Sequence, residues 1–310
     1  MTNLSIVTTL YQSAPYLKEF LTRVNLAAQK ITQDFEIVLV NDGSPDESLQ
    51  LATSLFQEYP NMVIVDLSRN FGHHKAMMTG LEYAKGERVF LIDCDLEEEP
   101  EWLVRFYDEM TECNVDVVYG QQQLRRGCFM ERAPGHLFYW VLRKMSDSDI
   151  PSNMVTARLM SRRYVNSLIQ FREQTAFIYG LWHITGYSQF AVQVTKKLKG
   201  LSTYTLGKKF SVAVNAITSF SEKPLVYIFY LGAAILSLSA IYIAYLIIRH
   251  TFYEISIDGW TSIIVSIWFM GGLIIFVLGV IGIYLSRIFI ETKQRPYTIV
   301  RAVHRLEDDQ

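Results

Sequence analysis

Cysteine is scarce in this chain: Cys94, Cys113 and Cys128 are the only three. An odd number without metal-ligand spacing argues against a disulfide framework and a zinc site, and fits reduced thiols in cytosol. The opening residues, Met1-Thr2-Asn3-Leu4-Ser5-Ile6, have no basic region ahead of a long apolar core, so they are not expected to act as a signal peptide. Charge of either sign is not in excess. Lys and Arg number 29, Asp and Glu 31, for a net charge of -2, which argues against nucleic acid as a bulk partner. No G-x-G-x-x-G follows the first predicted strand, which argues against a Rossmann dehydrogenase. Repeats and low-complexity tracts are also missing.

The most informative absence is local. No charged residue lies between Leu225 and Ile248, and none between Trp260 and Ser286. Each stretch is longer than the ~20 residues a helix needs to cross a bilayer, so both are expected to span. The loop between them, Arg249 to Gly259, holds one Arg and no Lys. Lys196, Lys197, Lys199, Lys208, Lys209 and Lys223 precede the first span; Arg287, Lys293, Arg295, Arg301 and Arg305 follow the second. The positive-inside rule then puts both ends in the cytoplasm. The expected division is a cytosolic domain over 1–223, with a juxtamembrane segment from about 171, two membrane helices within 224–287 (225–248 and 260–286), and a cytosolic basic tail over 288–310. Gly271, Gly272, Gly279 and Gly282 could mark close helix packing, and through it a homo-oligomer.

What is present in the first ~120 residues is an alternation of strand and helix signals, the pattern of an α/β domain. Strands are expected at Leu4–Thr9, Glu36–Val40, Met62–Asp66, Arg88–Asp93 and Val115–Tyr119. Helices are expected at Ser13–Gln29, burying Leu17, Phe20, Leu21, Val24 and Ala28, at His74–Ala84 and at Pro100–Cys113. Ser44-Pro45-Asp46-Glu47 reads as a capping box before a helix that buries Leu51, Leu55, Phe56 and Tyr59. Gly135 to Met145 reads as a helix. Ala176 to Val194 has no charged residue and is expected to lie on the membrane or pack under the domain, with Trp182 and Tyr187 suited to an interface.

Asp93-Cys94-Asp95 closes an apolar run and opens onto Leu96-Glu97-Glu98-Glu99-Pro100. Carboxylates two apart on an extended chain point the same way. Packed this closely they repel, and a divalent cation would relieve the repulsion. A solvated acidic turn before a helix is the plainer alternative. Ligands of open α/β sheets sit beyond the carboxyl ends of the strands. The polar segments Thr9–Ser13, Asn41–Ser44, Ser68–Lys75 and Asp93–Glu97 all fall there, so four loops are expected to converge on one crevice.

Taken in order, Ile6-Val7-Thr8-Thr9-Leu10-Tyr11, Val40-Asn41-Asp42-Gly43-Ser44, Ser68-Arg69-Asn70-Phe71-Gly72-His73-His74-Lys75, Leu91-Ile92-Asp93-Cys94-Asp95-Leu96, Arg158-Leu159-Met160-Ser161-Arg162-Arg163 and Ile217-Thr218-Ser219-Phe220-Ser221 resemble the polyisoprenyl-phosphate glycosyltransferases of glycosyltransferase family 2. The resemblance covers nearly the whole chain. It implies a GT-A fold, a Rossmann-like nucleotide-sugar-binding α/β domain followed by a two-helix transmembrane hairpin. It also implies roles: Thr9, Tyr11 and Ser13 lining the nucleoside pocket, Asp42 bonding the base, and Asp93 facing the ribose and sugar. Asp95 and Glu97 would bind Mg2+ or Mn2+, Lys75 would approach the nucleotide sugar, and Arg125, Arg126, Arg158 and Arg162 would grip phosphates. Two departures stand out. Many relatives carry Gln and Asp-Pro-Pro where this chain has Glu97-Glu98-Glu99-Pro100, and Gly-Asp-Phe-Arg-Leu where it reads Val155-Thr156-Ala157-Arg158-Leu159, so no carboxylate role carries over at Thr156.

The implied reaction is inverting hexose transfer, glucose from UDP-glucose in the first instance, to undecaprenyl phosphate at the cytosolic membrane face. GDP-mannose and UDP-linked amino sugars are the alternative donors. The rivals are a processive polysaccharide synthase, for which Gln-x-x-Arg-Trp and further spans are missing, and a membrane-tethered nucleotide-binding protein without catalysis. The basic residues before the first span, Lys196 among them, are expected near an anionic lipid surface.

Overall fold

The computed structural model describes residues 2–122, 153–174, 178–196, 223–253 and 259–305. The chain divides into two compact units, an α/β unit that includes the residues after the last long helix, and a unit of two long helices.

The α/β unit is an eight-stranded mixed sheet. In chain order it contains β1 (Leu4–Leu10), α1 (Ala14–Gln29), β2 (Phe35–Asn41), α2 (Ser48–Ser54), β3 (Met62–Leu67), α3 (His73–Tyr83), β4 (Arg88–Leu91) and α4 (Trp102–Cys113). β5 (Val117–Gln122), β6 (Met154–Ser161), α5 (Arg162–Leu168), α6 (Ile178–Ile184) and β7 (Gln189–Val194) follow, and β8 (Val300–His304) comes last. The strand order is β7-β5-β6-β4-β1-β2-β3-β8. β4, β1, β2 and β3 are parallel, while β6 runs antiparallel between β4 and β5, and β8 antiparallel to β3.

The hydrophobic pattern explains why these segments fold so. β1 is buried along its whole length, as a central parallel strand covered on both faces must be. On α1, Leu17, Phe20, Leu21, Val24, Ala27 and Ala28 are buried and spaced three or four apart, one face of a helix. Each large side chain so buried contributes roughly 1.5–3 kcal/mol. Phe90, Phe106 and Trp102 extend this core under α4, Phe90 meeting Phe106 edge-on at 6.1 Å.

Several expectations change. The capping box does not form. Ser44 Oγ donates to Asp46 instead, α2 begins only at Ser48, and Leu55, Phe56 and Tyr59 are buried beyond its end. Ala176 to Val194 supplies α6 and β7, and β7 pairs in parallel with β5. Of the two expected placements, packing against the domain fits the burial of Trp182, although Ile184 and Phe190 in the same run are exposed. The tail is not merely basic, since Val300–His304 pairs with β3 and covers what would otherwise be an open sheet edge. The helix expected at Gly135–Met145 lies outside the described residues.

The second unit contains α7 (Lys223–Tyr253, 31 residues) and α8 (Trp260–Thr292, 33 residues). Its apolar side chains point outward: Phe229, Leu238, Ile241, Trp268 and Ile275 are all exposed. That reverses the pattern of a water-soluble surface. Among the described residues one segment, Ser266–Thr292, is long and apolar enough to cross a membrane. A Cβ placed on Gly271, Gly272, Gly279 or Gly282 meets no described atom within 4 Å.

Candidate active site at the carboxyl end of the sheet

The loops after β1, β2, β3 and β4 all leave the sheet at its carboxyl end, as expected. Asp42 is buried at the end of β2. Its carboxylate accepts the backbone N–H groups of Phe71 (2.7 Å) and Gly72 (3.1 Å), which ties the β2 loop to the β3 loop. Burial raises the Asp42 pKa against the opposing pull of those two bonds. Gly43 makes the approach feasible. Its φ is +58°, and a Cβ there would sit 2.5 Å from the backbone of Arg69 and Asn70.

Asp46 organises the next loop. It accepts hydrogen bonds from Ser44 Oγ, from Ser48 Oγ (2.6 Å) and from the N–H of Ala14 (3.2 Å) at the start of α1. Ser44 Oγ in turn accepts the N–H of Gln12 at 2.8 Å, and Ser48 Oγ that of Ser13 at 3.0 Å. Thr9 and Ser13 are buried at the carboxyl end of β1, while Tyr11 between them in sequence is 48% exposed. An exposed aromatic beside a polar floor suits stacking on a flat ligand.

His73, at the start of α3, joins two candidate groups. Its Nδ1 lies 3.0 Å from Thr9 Oγ1 and its Nε2 lies 3.2 Å from Asp93 Oδ1. The second contact is an ion pair rather than an aligned hydrogen bond, and Asp93 Oδ1 is buried with no aligned partner. Burial favours the neutral imidazole, but Asp93 outweighs it and the His73 pKa rises. Asp93 moves the other way: burial would raise its pKa, and His73 and Lys196 pull it down.

The acidic turn that follows is held from two sides. Asp95 Oδ1 accepts the N–H of Glu97 at 3.1 Å, and Leu96 between them has φ +62°, a left-handed conformation that a branched side chain adopts at a cost. Glu98 is fully buried. It accepts the N–H groups of Thr156 (2.9 Å) and Ala157 (2.7 Å) on β6. Lys196, just past β7, lies 2.8 Å from Glu98 and 3.9 Å from Glu97. Burial first, then the charge of Asp93, pushes Glu98 up to about 7. Two neighbouring carboxylates are thus driven apart in acidity, one kept ionised and one poised near neutrality.

The proposed phosphate-gripping arginines scatter. Arg125 and Arg126 lie outside the described residues. Arg158 is 0% exposed. Its guanidinium stacks 3.0 Å from the Trp182 ring centroid, NH1 and NH2 have no hydrogen-bond partner, and burial lowers its pKa to about 10. Arg162 lies at the wrong end. β6 runs antiparallel to β4, so Arg158 pairs with Leu91 near the crevice, whereas Ser161 pairs with Arg88 at the far edge. Arg162 follows Ser161 there and donates from both Nε and NH2 to the Gly86 carbonyl. Lys75 is on the crevice side, donating to Gln174 Oε1 at 2.9 Å.

Sequence reasoning missed His73, Glu98 and Lys196. His73 entered only as part of the Ser68–Lys75 loop, Glu98 only as one glutamate in a run of three, and Lys196 as a base near the lipid surface. Only the fold reveals that one glutamate of the run turns inward. Among the described residues no three His, Cys, Asp or Glu side chains converge on one point. The donor set of Asp95 and Glu97 is all oxygen and follows closely on Asp93, whose Oδ1 has the His73 ion pair but no aligned hydrogen bond. It fits a hard cation completed by substrate phosphates, which Mg2+ favours, rather than an all-protein cage.

Comparison with known proteins locates this arrangement. Residues 5–179 match the model of glycosyl transferase family 2. A Mycobacterium tuberculosis protein described as a putative glycosyltransferase is 50% identical over 301 residues, covering 97% of this chain and 88% of that one. An uncharacterized glycosyltransferase of Synechocystis is 35% identical over 307 residues, covering 98% and 96%. The bactoprenol glucosyl transferase of Shigella phage SfII is 30% identical over 305 residues, covering 97% and 98%.

Proposed function

Because the chain belongs to glycosyl transferase family 2 and is a glycosyltransferase with a GT-A-like α/β fold, we propose that it transfers glucose from UDP-glucose to a polyprenyl phosphate such as undecaprenyl phosphate. The observation that carries this reading is the meeting of Asp42, His73, Asp93 and the Asp95–Glu98 turn at one sheet end, in a chain whose second unit exposes apolar helices. The bactoprenol glucosyl transferase relatives, alike over nearly their full length, support the glucosyl donor and the lipid acceptor.

The residues divide the work. Thr9 and Ser13 form the floor on which Tyr11 can stack the base. Asp42 holds the Phe71–Gly72 backbone that closes the pocket. Asp93, kept ionised by His73, faces the sugar side. Asp95 and Glu97 would hold Mg2+ or Mn2+, which supplies charge neutralisation for the departing nucleoside diphosphate. No general base is required, because a phosphate monoester loses its second proton near pH 6 and attacks as an anion. One displacement inverts the anomeric carbon: its bond to the diphosphate oxygen breaks as the acceptor oxygen bonds. Arg125 and Arg126 remain the candidates for gripping the acceptor phosphate. The second unit would be a two-helix hairpin, α7 with α8, that keeps the α/β unit at the cytosolic face where the lipid head group emerges.

The test is transfer of radiolabelled sugar from UDP-glucose, GDP-mannose or a UDP-amino sugar to undecaprenyl phosphate by the purified full chain, with and without excess chelator. Glucosyl lipid formed only with free divalent cation is the expected result. Preference for another donor would replace the sugar, and undiminished turnover in chelator would remove the metal.

A further inference from the structure

We infer that the segment after the last long helix, Arg295–His304, is part of the nucleotide-binding apparatus, with Arg301 as a positioning residue for the donor loops. The inference rests on the donor site placed above. Arg301 NH2 donates to the Ser68 carbonyl at 2.7 Å, at the root of the loop that Asp42 grips. Arg301 NH1 lies 3.4 Å from Oδ2 of Asp66, a carboxylate only 4% exposed. Asp66 Oδ1 accepts from Asn41 Nδ2 at 2.7 Å, and Asn41 Oδ1 accepts the Ser44 N–H at 3.2 Å. From Ser44 the chain of bonds continues to Gln12. A single line of polar contacts thus runs from β8 across the ends of β3 and β2 to the loop between Thr9 and Ser13.

A second line runs along α3. Gln174 Nε2 donates to the Arg295 carbonyl at 2.8 Å while its Oε1 accepts from Lys75. Thr79 and Thr298 share a hydrogen bond of 2.8 Å, and the Lys75 ammonium lies 5.3 Å from the Tyr297 ring centroid. A buried carboxylate whose nearby cation is removed rearranges its remaining contacts, because an uncompensated buried charge is costly. Loss of Arg301 therefore propagates through Asp66 and Asn41 to the pocket floor.

The experiment measures UDP and GDP affinity by calorimetry on the full chain in lipid nanodiscs, with KM for each substrate and melting temperature alongside. Arg301→Met is expected to weaken nucleotide binding about tenfold, the loss of roughly one charge-assisted bond, and to leave KM for polyprenyl phosphate unchanged. Arg301→Lys should restore part of it, since a point charge still compensates Asp66 but cannot fork to Ser68. Should Arg301→Met fail to fold, Gln174→Leu, which touches no strand pairing, should also weaken nucleotide binding. Unchanged nucleotide affinity in the folded variants, with only a lower melting temperature, would overturn the inference. If the unaltered chain bound neither UDP nor GDP, the donor reading would fall, and this inference with it.

Discussion

The two ends of the sheet carry similar charged side chains and use them oppositely. At the amino end, Asp116 is saturated. It accepts from Arg163 Nε and NH2, from Ser161 Oγ at 2.8 Å and from Ser188 Oγ at 3.1 Å. Arg162 beside it spends its fork on one carbonyl. At the carboxyl end the acids crowd. Asp93 keeps an oxygen with no aligned partner, Glu98 sits near neutrality, and Leu96 is held left-handed. Saturated charges fasten a fold, whereas crowded, strained and incompletely bonded ones are kept for a ligand to complete.

Substitutions at each end should separate the two behaviours. Asp95→Ala is expected to lower sugar transfer at least a hundredfold, the scale of losing one preorganised charge-stabilising group, with an unchanged melting temperature. Retained transfer would erase the distinction. Glu98→Ala strips the partner from two backbone N–H groups and the nearer of two carboxylates from Lys196, so unfolding should become easier by about 2–5 kcal/mol, and transfer should fall with it. Denaturant titration reads the first and product formation the second.

Asp116→Asn should do the reverse, lowering stability while transfer per folded molecule stays constant. Its pH dependence has a defined sign. Burial alone would raise the Asp116 pKa, but Arg163 and the two serines outweigh it and hold it below the ordinary carboxylate range. A depressed native pKa gives stability that is complete above the unfolded value near 3.9 and lost as pH falls through the native one. Melting of the unaltered protein should therefore drop more steeply below about pH 4 than melting of the Asn variant. Arg162→Met is the smallest expected effect: a modest stability loss and no change in KM for either substrate. A raised acceptor KM would restore Arg162 to the site.

Much of this was legible in the sequence because it depends on short-range pattern. The mostly apolar, fully buried runs at Leu4–Leu10 and Met62–Leu67 announce parallel strands, and the polar residues that follow them locate the crevice. Helix α1 could be read from the spacing of Leu17, Phe20, Leu21 and Val24. What failed depends on direction and on distant partners. Arg158 and Arg162 look like a basic cluster four residues apart, but Ser161 caps the start of α5 and the chain leaves the sheet at its far edge. The uncharged Ala176–Val194 run leaves two placements open, on the membrane or under the domain, because burial inside a domain and burial in lipid select the same composition. Val300–His304 reads as a tail because Arg301 counts toward topology, while its alternation over five residues is too brief to declare a strand.

The closing strand has a consequence for how the molecule is made. Translation runs from the amino end, so Val300–His304 leaves the ribosome after both long helices. Until then β3 presents a bare edge, and the Ser68 loop lacks the arginine that steadies it. Closure of this sheet edge therefore waits for a strand that is made after the hydrophobic helices.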